Sequence, residues 1–379
     1  MQPLVPAAVD LTPEEQARYA RHLALPHIGD DGQRRLKNAA VLCIGAGGLG
    51  SPILMYLAAA GVGRIGIVDD DVVAEHNLQR QVIHTTSTIG TPKVTSAARR
   101  LSELNPHITV EPLQLRLTSE NALEVFANYD VIVDGTDNFA TRYLANDACA
   151  LLGLPYVWGS VYRFEGQASV FFAGHGPCYR CAFPTPPPPA FAPSCETGGV
   201  LGVLCATIGA VQATEVIKLI TGAGEPLIGR ILTHDALAME QRTIAIAADP
   251  QCAMCGTRPS IVALIDYDEF CAETGPEITA AHLATLLRER AAGVRDFVLL
   301  DVREPEEYAE SRIEGSVLLP QGGILDGSAL ATIPRDRQLI LHCRSGKRSM
   351  NCLLVLRDAG FEDVVHVAGG ILAWQAMTD

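Results

Sequence analysis

Cys43-Ile44-Gly45-Ala46-Gly47-Gly48-Leu49-Gly50-Ser51 decides how the rest of the chain is read. The apolar run before it, at 39–44, reads as a buried parallel strand, and 52–60 after it reads as a helix. A glycine-rich turn between strand and helix lets backbone N–H groups approach a phosphate, and the helix dipole adds partial positive charge there. A nucleotide is therefore expected at this turn. The spacing Gly45-x-Gly47-x-x-Gly50, with acids at Asp69 to Asp71 about 20 positions later, also fits the dinucleotide fingerprint. On its own the motif does not separate a nicotinamide-dependent oxidoreductase from an ATP-using enzyme.

Outward from the turn, strand and helix patterns alternate: strands at 39–44, 64–69, 108–115 and 130–134, helices at 52–60, 93–104, 119–127 and 138–151. Such alternation predicts an α/β fold with a Rossmann-like, doubly wound, mostly parallel sheet, its ligands at the carboxyl ends of the strands. The loops at those ends carry the polar residues. After the second strand come Asp69, then His76-Asn77-Leu78-Gln79-Arg80-Gln81, then Gly90-Thr91-Pro92-Lys93. An oxidoreductase needs one acid here for the ribose hydroxyls. The cations Arg80 and Lys93 exceed that need and suit a triphosphate, although surface cations are common. Gly135-Thr136-Asp137-Asn138 closes the fourth strand, where Asp137 can hold Mg²⁺ against phosphate oxygens while Asp137 or Asn138 caps the next helix.

The 379 residues are enough for two or three domains, with 48% apolar and 19% charged residues, as in an ordinary globular protein. A net charge of −14 argues against nucleic acid or an anionic membrane as the main partner. The longest uncharged apolar run, near 200–211, looks too short to span a bilayer, and no signal sequence is evident, so a cytoplasmic location is expected. Eleven cysteines do not make a disulfide framework in a reducing compartment. Cys178-x-x-Cys181 and Cys252-x-x-Cys255 together offer four thiolates, matching a closed, structural Zn²⁺ site that pins a return strand at 229–248. Between the pairs, the proline run 184–189 leads to Cys195, an accessible thiol on a crossover or lid that is either functional or structural. Cys43, Cys149, Cys205 and Cys352 lie in apolar patterns and read as core. Near the start, Thr12-Pro13-Glu14-Glu15 forms a capping box for a helix through Leu23 whose Arg18 and Arg21 read as a solvated face.

Gly45 to Ser51, the Asp69 region, Asn77-Leu78-Gln79-Arg80-Gln81, Gly90-x-Pro92-Lys93, Asp134-Gly135-Thr136-Asp137-Asn138 and Arg163-Phe164-Glu165-Gly166-Gln167 closely resemble the MoeB/ThiF branch of the ubiquitin-activating enzymes, from about 13 to 257. The resemblance implies ATP-dependent adenylation of the C-terminal glycine of a small ubiquitin-like sulfur carrier ending in Gly-Gly. It implies that Gly48, Asp69, Asn77, Arg80, Lys93 and Asp137 contact ATP or Mg²⁺, that Arg21 enters the other site of a homodimer, and that Cys195 is the crossover cysteine. His76 departs from the small residue common in that family, with little consequence expected. The candidate nucleotide-binding set is Gly45, Gly48, Asp69, His76, Asn77, Leu78, Gln79, Arg80, Lys93, Asp137 and Asn138.

A domain spanning 1–258 and a linker at 259–278 are expected before a smaller α/β pattern restarts at 279–379, with helices at 280–290 and 347–359 and strands at 297–301, 317–320, 338–342 and 364–367. His342-Cys343-Arg344-Ser345-Gly346-Lys347-Arg348-Ser349 follows a strand and opens a helix, so loop amides and three cations favour an anionic sulfur on Cys343. Arg348 follows after only four intervening residues, a smaller cradle than a phosphatase loop and one suited to a terminal sulfur. With 300–308, Gly315-Ser316 and Gly369-Gly370, this segment resembles a single rhodanese domain, which implies a persulfide on Cys343 loaded by a cysteine desulfurase or thiosulfate. The catalytic candidates are thus Cys343, Cys195, Arg21, Arg80 and Asp137. Together the two resemblances imply a thiocarboxylate product, for molybdopterin, thiamine, cysteine or tRNA thiolation. The alternatives are the oxidoreductase with an appended rhodanese-like module and a non-catalytic scaffold.

Overall fold

The computed structural model describes residues 2–187, 199–271 and 276–378, which form two compact units, one through Cys271 and one from Pro276 onward. In the first unit an eight-stranded sheet runs β3-β2-β1-β4-β5-β6-β7-β8. The strands are β1 Ala40–Ile44, β2 Arg64–Val68, β3 Thr109–Leu113, β4 Val131–Asp134, β5 Tyr156–Tyr162, β6 Glu165–Phe171, β7 Arg230–Asp235 and β8 Glu240–Ala245. β1 to β5 are parallel, and β6 to β8 are antiparallel. β1 lies between β2 and β4, so the chain order reverses there and opens a crevice at the strand ends.

The pattern of β1 explains its place. Val41 and Cys43 face one apolar cluster, with Leu54 and Leu57 of the helix Gly50–Ala60 and Ile208 and Val216 of the helix Gly202–Thr221. Ala40, Leu42 and Ile44 face the opposite cluster, with Phe126, Tyr143 and Leu144. Side chains alternate along a strand, so a strand apolar at every position is one covered on both faces. Truncating a buried leucine such as Leu57 costs about 2–5 kcal/mol in cores of this kind.

Three expectations change. The apolar run near 200–211, expected to be too short to span a bilayer, belongs to the helix that the sequence places at 200–221 and the structure at Gly202–Thr221, long and apolar enough by composition to cross a membrane; its apolarity is used in packing on Gly50–Ala60 and on β5 and β6. The return segment at 229–248 is not one strand but the hairpin β7–β8, because Asp235 Oδ1 accepts from the amides of Leu237 and Ala238 and turns the chain. Residues 264–271, expected in a linker, pack on the first unit: Tyr267 is buried and donates to Asp147, and Phe270 meets Tyr143 edge-on.

The second unit has a parallel five-stranded sheet in the order β11-β10-β12-β13-β9. These strands are β9 Glu277–Ile278, β10 Phe297–Asp301, β11 Ser316–Leu318, β12 Gln338–His342 and β13 Val364–Val367. Apolar clusters cover both faces, one centred on Leu339, Leu341 and Leu353, the other on Leu283, Leu299 and Ile340. The central strand β12 therefore delivers Cys343 at its carboxyl end, directly before the helix Lys347–Asp358.

Candidate nucleotide and sulfur sites

The glycine turn is held by close backbone approach. Gly45 adopts φ +91°, and a Cβ at Gly50 would lie 2.0 Å from the Gly45 carbonyl oxygen. A Cβ at Gly135 would lie 2.9 Å from the Gly50 nitrogen, so the turns after β1 and β4 interlock. Gly50→Ala must push backbone against backbone; the expected result is a stability loss of about 1–3 kcal/mol together with weaker ATP binding. Thermal unfolding and nucleotide titration check this, and an unchanged variant would contradict it.

A cleft of about 1120 Å³ opens at the ends of β1, β2 and β4. Gly45, Gly48, Asp69, His76, Asn77, Arg80, Lys93, Asp137 and Asn138 all line it. Leu78, Gln79 and Arg21 do not line it: Gln79 lies against Gly202, and Arg21 is exposed on the helix Ala20–Leu23. Asn138 is the helix cap, its Oδ1 accepting from the Thr141 amide, which leaves Asp137 exposed beside it and free of that duty. Asp69 accepts from the amides of Ala46 and Asp71, and burial raises its carboxyl above the ordinary range. Lys93 is buried and pairs with Asp71 at 2.8 Å, while Arg80 donates to the His76 carbonyl at 3.3 Å.

Two residues of this site, His84 and Arg142, carry no sequence signal, and Asp134 was read only as part of a strand-end motif. His84 holds the glycine turn: its Nε2 is 2.9 Å from the Ala46 carbonyl, an acceptor, so Nε2 carries the proton and Nδ1 accepts from Ser96. Arg142 is buried on the cleft wall, donates to the Thr136 carbonyl and lies over the rings of Phe139 and Trp158. Asp134 accepts from Thr136 and Tyr156, and complete burial raises its carboxyl. The polar surroundings of His84, with Thr85 to Thr88 directly after it, gave no hint of burial, because side-chain contacts across tens of residues leave no periodicity.

The four cysteine sulfurs converge. Cys178 and Cys181 are 3.9 Å apart, Cys178 and Cys252 3.5 Å, and Cys181 and Cys255 3.4 Å. Tetrahedral zinc with sulfur at about 2.3 Å requires sulfur spacings of about 3.8 Å, so the set fits that ion and is too wide for disulfides. Burial, then the neighbouring sulfurs, push the Cys178 thiol up; a bound cation offsets that. The short helix Tyr179–Ala182 between two of the cysteines is tied to the helix Phe139–Leu152: Arg180 forks onto Asp147 at 2.8 Å, and the Tyr179 amide donates to Asn146. Cys195 lies outside the described residues.

In the second unit, Cys343 is buried, and its sulfur accepts from the Gly346 amide at 3.2 Å and the Ser349 hydroxyl at 3.6 Å. Gly346 reaches φ +95° to turn its amide inward. Gly370 packs so closely under the loop that a Cβ there would meet the Cys343 carbonyl oxygen. Arg348 forks onto Glu307 at 2.6 and 2.7 Å, and that pairing holds the Glu307 carboxyl down at about 2. The sign follows: the pair's contribution is complete above the ordinary glutamate range near 4.3 and is lost as pH falls toward about 2. A carboxylate NMR titration should place the Glu307 transition below those of the other glutamates, and Arg348→Ala should return it to the ordinary range.

With these geometries in view, the comparisons are direct. The ThiF family model matches residues 19–254, more than half of the chain. The chain belongs to the ThiF family. The Rhodanese-like domain model matches residues 281–377. MoeZ of Mycobacterium tuberculosis, a probable adenylyltransferase/sulfurtransferase, is 52% identical over 99% of this chain and 96% of its own length. The sulfur carrier protein adenylyltransferase of Thermus thermophilus is 51% identical over 69% of this chain and 98% of its own. The adenylyltransferase and sulfurtransferase MOCS3 of Anopheles gambiae is 42% identical over 97% of this chain and 88% of its own. The crystal structure of E. coli MccB with AMPCPP and MccA shares the fold, with a TM-score of 0.56 and 23% identity over 63% of this chain and 74% of that one. As a ThiF-family chain with a rhodanese-like domain, this protein is an enzyme of adenylyl and sulfur transfer. Nothing in these relatives supports the oxidoreductase alternative.

Proposed function

We propose that this chain adenylates the C-terminal glycine of a ubiquitin-like sulfur carrier ending in Gly-Gly and then replaces the carboxylate oxygen with sulfur carried on Cys343. The observation that carries this reading is the pairing, in one chain, of a nucleotide-sized cleft at a glycine turn with a buried cysteine in an amide-lined loop. The likeness to a sulfur carrier protein adenylyltransferase supports the carrier as partner.

A carboxylate is a poor electrophile, and joining it to AMP supplies a leaving group. The amides of the glycine turn, with Arg80 and Lys93, hold the triphosphate; Asp137, exposed on the cleft wall, would hold Mg²⁺, which would neutralise phosphate charge when bound. Lys93 must exchange Asp71 for phosphate oxygens when ATP enters. The carrier carboxylate attacks the α-phosphorus and pyrophosphate leaves. Cys343 takes the outer sulfur from thiosulfate or a desulfurase persulfide. Its terminal sulfur then attacks the acyl carbon, AMP departs, and an acyl disulfide remains. A second thiol, for which Cys195 is the candidate, attacks the Cys343 sulfur, releases the thiocarboxylate and leaves a disulfide that an external dithiol reduces.

The four cysteines hold a structural Zn²⁺, closed to substrate because all four positions are sulfur. The chain acts as a homodimer in which Arg21 serves the partner's site, consistent with its exposure away from the cleft of its own chain. The test is to incubate the protein with ATP, thiosulfate and candidate carriers, reading carboxylate-to-thiocarboxylate conversion by intact mass. Conversion that needs ATP and a Gly-Gly terminus is the expected result; no mass change with any carrier, in a protein that turns over NAD(P)H, would sink the reading.

A further inference from the structure

Behind the Cys343 loop lies a chain of polar groups that crosses an otherwise apolar interior. Ser349 sits on the first turn of the helix Lys347–Asp358 and is fully buried. Its Oγ lies 3.6 Å from Cys343 Sγ on one side and 3.3 Å from His366 Nδ1 on the other. His366 is a buried residue of β13, and its register partner on β9 is Glu277. His366 Nε2 makes no hydrogen bond, and it faces Glu277 Oε2 at 3.6 Å. The Glu277 side chain is 60% exposed, so it is free to close that gap and connects the chain to solvent.

A histidine at this strand position needs an explanation. Along β13, Val364 joins the apolar cluster beneath the helix Lys347–Asp358, and His366, two residues on, points to the same face. An apolar side chain there would pack without leaving a buried nitrogen unpaired, which costs about 1–3 kcal/mol. The placement makes sense if the ring exchanges a proton.

We propose that Ser349 and His366 form a proton relay that takes the thiol proton of Cys343, with Glu277 holding the charge that develops on the imidazole. The inference rests on the reading of Cys343 as the sulfur-carrying thiol. The S–H bond breaks and its proton passes to Ser349 Oγ, while the hydroxyl proton passes to His366 Nδ1. The S–H electron pair stays on sulfur, so nothing is oxidised or reduced. The thiolate, held by the Gly346 amide, then attacks the outer sulfur of thiosulfate, and sulfite leaves with the electron pair of the broken S–S bond. The single hydroxyl proton has two competing acceptors, the Gly346 carbonyl at 3.0 Å, one helical turn back, and the Cys343 sulfur at 3.6 Å, and it turns from both to His366 when the relay operates.

The surrounding charges are consistent with this direction of transfer. Burial holds the His366 imidazole below its ordinary range and so opposes protonation, while the Glu277 carboxylate counters that shift and favours the protonated ring. Around the sulfur, Arg348 contributes positive charge from the helix Lys347–Asp358, and the buried thiol of Cys352 is pushed up to about 12 and stays neutral. His342, next to Cys343 in sequence, is not the base: it points to the other face of β12, where burial lowers it to about 4 and its Nε2 faces Asp301 Oδ2 at 3.6 Å, away from the sulfur. Ser349 and His366 act through the sulfur, so they are positioning groups, and Cys343 alone bonds to substrate sulfur.

The experiment uses the full-length protein and follows alkylation of Cys343 by iodoacetamide, resolved by peptide mass spectrometry, from pH 6 to 10. Ser349→Ala and His366→Leu should each slow alkylation at pH 7 by about tenfold, the scale of one charge-assisted hydrogen bond, and match the parent at the alkaline end where hydroxide removes the proton. The double variant should be no slower than either single one, because both interrupt one path. Glu277→Gln, on an exposed side chain that does not endanger folding, should slow the reaction about twofold to threefold and keep the proton path. His366→Asn, which keeps a hydrogen bond to Ser349 but cannot carry the proton, should behave as His366→Leu. Parent-like rates at pH 7, an equal loss at every pH, or additive losses would each overturn the relay. Failure of the sulfur-carrier reading would show separately, as sulfur transfer from thiosulfate to cyanide that survives in Cys343→Ala.

Discussion

Cys343→Ala is expected to exchange pyrophosphate into ATP at the parent rate and to form no thiocarboxylate, a loss of at least about 10³-fold in the second activity. The selectivity follows from chemistry. Adenylation needs a carboxylate, a triphosphate and the groups around the glycine turn, and Cys343 is not among the residues of that cleft. Sulfur transfer needs a nucleophile that carries a second sulfur, and alanine has none. The fold should tolerate the change, because the buried side chain loses one atom and the loop keeps its anchors: Ile371 and Leu372 donate amides to the carbonyls of Cys343 and Arg344. Intact-mass measurement with carrier, ATP and thiosulfate reads the outcome, with the exchange assay as control. Sulfur incorporation retained with a persulfide donor would remove Cys343 from the mechanism.

The second large effect is expected from Cys181→Ser. Metal content should fall from one zinc per chain to none, and the unfolding temperature of the first unit should drop by about 10–20 °C, the scale of losing about 5 kcal/mol in a domain of this size. Adenylation should fall with it, although none of these four cysteines lines the cleft. The reason is the path from the sulfurs to the site. Arg180, between Cys178 and Cys181, forks onto the fully buried Asp147, which also accepts from Tyr267. Asp147 belongs to the helix Phe139–Leu152, whose cap Asn138 directly follows Asp137. If the short helix Tyr179–Ala182 loosens, a buried carboxylate loses its cation, a cost of about 3–5 kcal/mol, and the helix that sets Asp137 loses its brace. Zinc-free protein as purified, or a variant with unchanged unfolding temperature, would contradict the structural metal.

The parallel half of the first sheet was legible because its signals are local. An apolar run, a glycine turn and an amphipathic helix each declare themselves within a dozen residues, and β1, β2 and β4 with their helices appear within a few residues of the expected bounds. The antiparallel half was not legible in the same way. Strands Tyr156–Tyr162 and Glu165–Phe171 form a hairpin with Arg163 at φ 52°, a conformation that no glycine or asparagine announces. The helix Gly29–Asn38 also escaped, since it opens on a glycine and lacks a side-chain cap. At the site, Gly45, Asp69, Arg80, Lys93 and Asp137 were readable as loop residues after successive strands. His84 and Arg142 were not, and Asp134 was readable only as part of its strand-end motif, because their partners, Ala46, Thr136 and Tyr156, are chosen by packing and not by spacing.

By itself the sequence determined the α/β class, the strand-to-helix glycine turn at Gly45 to Gly50, the two cysteine pairs and the strand-to-helix loop that carries Cys343. Each depends on backbone conformation or ligand spacing over a few residues, which a chain encodes locally. Only the tertiary structure decided which of these meet. Strand order placed the turns after β1, β2 and β4 around one cleft, folding joined Cys178 and Cys181 to partners more than 70 residues away, and parallel pairing of β13 with β9 set Glu277 behind His366, with Ser349 between that ring and Cys343. Those juxtapositions come from burying both faces of a sheet, a condition on the whole chain that no short stretch contains.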